Sequence, residues 1–305
     1  RQELQFLHRL AKHLKKGREE VRGKPENFSR PDYTFRLEGN GDEEPNGSET
    51  VSISVRKRGA PLDLIVAEAA IVANSTWGSW LAELGVPGIY RSQASMAPGV
   101  KVRMSTKALP HAGIGVKSYS WATSPLRRYV DLVNQWQIIA CARHGATAAL
   151  AAPFKPKDAE LFGIISSFDC AYSAYNGYQQ SMERFWTLKY VEQNGITELD
   201  CAVIKDNGPN GILVRADTLP LVISIIGAQD LPRGARVRVK LGAIDEITLD
   251  IHGTVIERLD DPLDSSDDAP LDDAAEDEDD VAAGPIAIAV DVNEADSTSA
   301  DTPAP

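Results

Sequence analysis

The chain has 305 residues, 43% of them hydrophobic, which is enough for one sizeable core and a smaller second domain. Its formal net charge is -12, yet residues 260–305 hold sixteen Asp and Glu and no Lys or Arg, leaving 28 acids against 32 bases, or +4, in what precedes them. No run approaches 18 apolar residues, the opening "RQELQFLHRLAKHLKKGREE" is charged and amphipathic, unlike a signal peptide, and Cys141, Cys170 and Cys201 stand apart with no CxxC spacing; these features point away from a membrane span, a disulfide framework or a zinc site and towards the cytoplasm.

Taken in chain order, Leu4, Leu7, Leu10, Ala11 and Leu14 recur at helical spacing and predict an opening helix that ends near Gly17. "DYTFRLE" and "VSISV" read as strands on either side of a loop rich in Gly, Asn and Pro. "LDLIVAEAAIVANSTWGSWLAEL" then carries helical periodicity up to Gly85 and puts Glu68 on the face of Leu64, Ile71 and Val72. A carboxylate within such a stripe requires either a partner or the edge of a cavity, because burying it bare is costly.

The stretch "TSPLRRYVDL", residues 123–132, predicts a helix start. Thr123 or Ser124 supplies a cap and Pro125 suits the first helical position, where its missing N–H is not needed. That places Arg127 and Arg128 in the first turn, where acids are favoured, with Asp131 as partial compensation. Backbone amides at a helix start attract anions and a guanidinium adds a planar fork matched to phosphate, so one reading is an anion site; the other is a surface pair of Arg128 with Asp131 and a solvated Arg127.

Residues 157–194 read as one or two helices. From residue 198, "DCAVIKD", "GILVRA", "PLVISII", "ARVRVKL" and "EITLDIHGTVIERL" form five short alternating strands, separated by turns such as "DNGPNG" and "DLPRG", which predicts a small barrel of the OB type, a frequent nucleic-acid binder. The tail, "DDPLDSSDDAPLDDAAEDEDD" and onward, has no aromatic residue and repels itself, so residues 259–305 are expected to be disordered. Its carboxylates lack a scaffold, and no metal ligand is assigned there.

"LPHAGIGVKSYSWATSPLRRYVDL" resembles the signature of the ribonuclease II and ribonuclease R family, whose catalytic RNB domain carries a TSP-(Ile/Leu)-RRY-x-D run preceded by Pro-His and glycines. "LIVAEAAIVAN" is similar to the family's Glu-Glu-x-Met-x-x-Ala-Asn helix, and "QQSMERFWTLKY" and the closing barrel follow in the family's order. The resemblance spans roughly residues 1–258 and implies an α+β fold: part of an RNB-type catalytic domain over 1–196, an OB-fold RNA-binding domain over 197–258, and the acidic tail. It also implies 3′-to-5′ hydrolysis of single-stranded RNA to nucleoside 5′-monophosphates with Mg2+.

By the same resemblance, Arg127 matches the arginine that holds the scissile phosphate and Glu183 the late glutamate lining the active centre. Glu68 takes the second place of the paired glutamates, with Ala67 in the first, and is expected to touch RNA. Phe28 falls where the family stacks an aromatic on a base, with core packing as the other reading; Arg128 and Tyr129 extend the RNA-binding set. Trp186 and Tyr190 share a face with Glu183 and either orient it or pack in the core. The family's Mg2+-binding aspartates lie upstream of any residue matched here, so the chain is expected to be a carboxyl-terminal part, inactive alone, whose partners are single-stranded RNA and a polypeptide bearing the missing half. The alternative is a catalytically inactive relative that binds RNA or another protein.

Overall fold

The computed structural model describes residues 1–26, 32–39, 47–56, 60–97, 99–206, 211–225, 231–259 and the pair 287–288. Among these residues the α-helices α1 (Gln2–Arg22), α2 (Pro61–Glu83), α3 (Tyr129–His144), α4 (Ala148–Ala151) and α5 (Ala159–Gln193) accompany strands β1 (Asp32–Glu38), β2 (Thr50–Arg56), β3 (Tyr90–Ser92), β4 (Arg103–Ser105), β5 (Glu198–Asp206), β6 (Ile212–Ala216), β7 (Val222–Ile225), β8 (Arg236–Asp245), β9 (Asp250–Arg258) and β10 (Ala287–Ile288). The chain divides into two compact units, one made of Arg1–Glu68 with Tyr172–Gly284 and the other of Ala69–Ala171 with Pro285–Pro305.

In the first unit, α1 does not stop at Gly17. It runs to Arg22 and ends on Gly23, whose left-handed φ of 74° lets its N–H bond back to the Glu19 carbonyl. Gly17 costs helix propensity but breaks nothing, because Arg18 and Arg22 on the following turn are buried and anchored, Arg18 to Glu68 and Arg22 to the Pro25 carbonyl. The face the periodicity marked out is not the one that packs: Leu4, Leu7 and Leu10 remain exposed, while Ala11, Arg18 and Arg22 are buried. Strands β1 and β2 pair antiparallel, Phe35 opposite Ile53. Gln193 at the end of α5 ties this hairpin down by accepting from the Val51 N–H (3.0 Å) and donating to the Glu49 carbonyl (2.7 Å).

The five carboxyl-terminal strands close into a barrel in the order β5-β6-β7-β9-β8, with β7 and β9 parallel and every other neighbour antiparallel. This is the strand order of an OB-type barrel. Strict alternation fills it, as Cys201 and Val203, Val214 and Ala216, Ile223 and Ile225, and Val237 and Val239 point inward together with Ile251. Burial pushes the Cys201 thiol up to about 12, so it behaves as a small apolar filler. Gly253 sits where an added Cβ would collide with the Val239 side chain and meet Ile223 Cγ2 at 3.3 Å. Gly253→Ala should therefore destabilise the protein by about 1–3 kcal/mol in urea unfolding, the usual cost of overpacking; an unchanged midpoint would show that the barrel relaxes around a methyl group.

In the second unit, β3 and β4 pair antiparallel and β10 lies parallel beside Arg103–Met104. The rest of the acidic tail lies outside the described residues. Helix α3 begins at Tyr129, four residues later than Pro125 at the first helical position would require. Residues 125–127 form a turn in which the Arg127 and Arg128 N–H groups both bond to the Ser124 carbonyl, at 3.2 and 3.0 Å, and Arg128 is extended at the cap position with φ -125° and ψ 118°. The two arginines thus precede the helix. Its first turn holds Asp131, as the helix dipole favours.

Three polar side chains of α3 at i, i+3 and i+6 (Asp131, Asn134 and Gln137) are fully buried, and two of them stitch loops together. Asn134 bonds the Ile89 N–H and carbonyl and the Trp121 carbonyl, and Gln137 bonds the Phe154 N–H and carbonyl and the Pro87 carbonyl. Each amide satisfies three backbone groups that would otherwise be buried unpaired.

Candidate functional site

The 124–128 turn is built from the carboxylate of Asp131 outward. That group accepts from the Ser124 N–H at 2.8 Å and from Arg128 Nε and Nη2 at 2.8 and 2.9 Å. Arg128 is only 6% exposed, and its guanidinium carbon lies 4.0 Å from the centre of the Trp121 ring. Arg91, on β3, lies 3.9 Å from the ring centre of the same indole, so two guanidinium groups pack on Trp121. Phe168 meets Trp121 edge-on at 6.4 Å. Asn74 on α2 adds a second anchor, accepting from the Ala122 N–H at 3.1 Å while its amide donates to Thr123 Oγ1 and Tyr119 Oη.

What this buried frame leaves outside is Leu126 and Arg127, both exposed at the tip of the turn. The pairing of Arg128 with Asp131 is present, but as a buried pair; the surface pair suggested by the spacing is not what forms. Arg128 is committed to Asp131 and Trp121. Tyr129 is exposed and packs edge-on to Trp136 at 6.2 Å, on the outer side of α3.

The remaining sequence-predicted residues lie in the other unit. Glu68, 1% exposed, is held by two bonds from Arg18, Nε to Oε2 at 3.0 Å and Nη2 to Oε1, and Arg18 Nη2 also reaches Glu26 at 2.8 Å. Burial works against the charge on Arg18, but its hydrogen bonds to Glu68 and then Glu26 more than offset this and hold the guanidinium above its ordinary value. Of the two roles open to a carboxylate in an apolar stripe, Glu68 has found a partner. Glu183 on α5 is half-buried and accepts from Gln179 Nε2 at 3.1 Å. Trp186 beside it meets Phe185 edge-on at 4.9 Å, and Tyr190 packs against the barrel core. Phe28 lies outside the described residues. Arg127 therefore belongs to one unit, and Glu68 and Glu183 to the other.

Sequence reasoning missed Asp131, Trp121, Arg91 and Asn74 as parts of one assembly. Only Asp131 carried a signal, as the acid three residues after Arg128, and nothing in the spacing showed that its carboxylate reaches back seven residues to Ser124. Among the described residues no group of three or more His, Cys, Asp or Glu side chains is placed to hold a metal ion, so they offer no carboxylate cluster of that size for Mg2+. A cleft of about 260 Å³ between the end of α5 and the barrel, lined by Glu192, Ile196, Leu241, Ile244 and Glu246, contains none of the predicted residues.

Two features stand out: an exposed arginine on a turn braced from below, and an OB-type barrel in the other unit. In comparison with known proteins, residues 95–144, which include the whole 123–132 stretch, match the RNB domain. The chain is 27% identical over 173 residues to an uncharacterized ribonuclease of Synechocystis, covering 49% of this chain and 24% of that protein. It is 28% identical over 102 residues to the mitochondrial exoribonuclease DSS-1 of Trypanosoma brucei brucei, covering 29% and 14%. The chain thus spans about a quarter or less of the curated relatives it matches.

In fold it is similar to the Dss1 exoribonuclease of Candida glabrata, with a TM-score of 0.63 at 19% identity over 84% of this chain and 35% of that one. It is also similar to Mycoplasma genitalium RNase R in complex with single-stranded RNA, with a TM-score of 0.57 at 15% identity over 83% and 49%. Residues 95–144 thus match the RNB domain, and the chain is similar in sequence to proteins named as ribonucleases and in fold to solved exoribonucleases.

Proposed function

We propose that this chain is part of a 3′-to-5′ exoribonuclease that hydrolyses single-stranded RNA to nucleoside 5′-monophosphates. The observation that carries this reading is the coincidence of the RNB match over 95–144 with the braced turn whose outward residue is Arg127. A guanidinium there pairs with the non-bridging oxygens of the scissile phosphate and offsets the charge that grows on them in the transition state. Glu183 serves as the carboxylate that orients the 3′-terminal nucleotide. The barrel grips the backbone through phosphates, so sequence preference is slight and binding weakens with salt.

In this proposal the carboxylate ligands of Mg2+ come from a companion polypeptide segment, because the described residues offer no cluster for the ion. The same donor set favours a second reading, an RNA-binding or partner-binding relative without catalysis. One experiment separates them. The chain, mixed with Mg2+ and single-stranded RNA radiolabelled internally and at its 3′ end, should leave the RNA intact; adding a polypeptide that carries the acidic RNB segment should start release of 5′-monophosphates. Release by the chain alone would overturn the proposed division of labour, and continued RNA binding with no release under either condition would select the second reading.

A further inference from the structure

We infer that Asp131 is a positioning residue for Arg127, acting through the frame it forms with Ser124, Arg128 and Trp121. This rests on the reading of Arg127 as a phosphate contact, but the frame itself can be tested without RNA. An acid in the first turn of a helix usually serves the amides of that turn. Asp131 does something else: its fully buried carboxylate takes the Ser124 N–H at 2.8 Å, at one end of the turn, and Arg128 Nε and Nη2 at 2.8 and 2.9 Å, at the other. Both ends of a five-residue loop are tied to one group.

The loop is also closed from within. The Arg127 and Arg128 N–H groups share the Ser124 carbonyl, at 3.2 and 3.0 Å, and Pro125 has no free φ. Below it, Arg128 and Arg91 both pack on the Trp121 ring, at 4.0 and 3.9 Å from its centre, which registers the turn against β3. The backbone of Arg127 is therefore fixed on both sides while its side chain stays exposed. A guanidinium that must meet a phosphate fork-on gains from such fixing, because less freedom is lost on contact.

The test is a double-mutant cycle of Asp131→Asn and Arg127→Ala in the full 305-residue chain, with single-stranded oligoribonucleotide affinity measured by fluorescence anisotropy and amide hydrogen exchange followed in parallel. Asp131→Asn should lower RNA affinity about tenfold, the scale of one charge-assisted contact, and this loss should vanish when Arg127 is already alanine. The Ser124 and Arg127 amides, both hydrogen-bonded, should exchange slowly in the parent chain and become fast in the variant. A merely structural Asp131 predicts the opposite: its affinity loss would persist in full on the Arg127→Ala background, which overturns the inference.

Unaltered Ser124 exchange in Asp131→Asn overturns it as well. If Arg127→Ala leaves affinity unchanged, the phosphate-contact reading fails and the exchange data alone decide whether the frame orders the turn. Should Asp131→Asn fail to fold, Trp121→Leu, which keeps the ion pair and removes its platform, is read by the same criteria.

Discussion

Glu68→Ala is expected to lower folding stability by about 3 kcal/mol, the lower end of the scale for removing one partner of a buried ion pair, because Arg18 keeps Glu26. Glu68 is the main counter-ion of Arg18: it accepts from both Nε and Nη2, and Glu26 is left as the second, less buried partner. Truncating Glu68 removes the partner that takes two of the bonds of this desolvated guanidinium. Removing the charge from both partners should be milder. Arg18→Met with Glu68→Leu should recover most of the loss in urea or guanidinium unfolding, because a buried pair replaced by apolar groups of similar size costs little. A mutant with unchanged midpoint and slope, yet weakened RNA binding, would instead make Glu68 the RNA contact that its place in the family motif implies.

The second large effect concerns Arg127. In the nuclease reassembled with its acidic segment, Arg127→Ala should lower the rate of nucleotide release at saturating RNA by about 10²–10³-fold, the range found when a donor to developing negative charge is removed. Thermal stability should change far less than the rate, since the side chain is exposed and hydrogen bonds through Asp131, Ser124 and the backbone N–H groups of Arg127 and Arg128 hold the turn. Arg127→Lys should recover only part of the rate, because an ammonium restores charge but not the fork. A fall in rate matched by an equal fall in Tm would assign Arg127 a structural role.

How much of this was readable in the residues differs between the units. The barrel strands show in the sequence because short runs rich in Val and Ile recur, with polar alternation cleanest where Val237 and Val239 stand between Arg236, Arg238 and Lys240, and turns rich in Gly, Asn and Pro separate them; closure of β5 on β8 and the parallel β7–β9 pairing depend on long-range contacts that no local pattern carries. Helix α3 defeats pattern reading for a different reason. It buries Asp131, Asn134 and Gln137, side chains that a hydrophobic template scores as solvent-facing, because the loops around it have backbone groups to satisfy.

The same cause misplaced the helix start. Ser, Pro and two basic residues are compatible with both a capped helix and a free-standing turn, and the choice is made by the Ser124 N–H finding Asp131. In α1, the apolar spacing of Leu4, Leu7 and Leu10 was real but not decisive, since the packing surface formed around Arg18 and its two carboxylates. Of the candidate residues, the motif singled out Arg127, and the structure adds why its neighbour Arg128 is a different kind of residue.

The measurement that bears most directly on the central claim is a photo-crosslink from the 3′ end of RNA. A single-stranded oligoribonucleotide carrying 4-thiouridine near that end, irradiated with the chain and mapped by mass spectrometry, should attach to the peptide that contains residues 123–132. Crosslinks confined to the barrel strands, with none on that peptide, would contradict the placement of the 3′ end at the Arg127 turn.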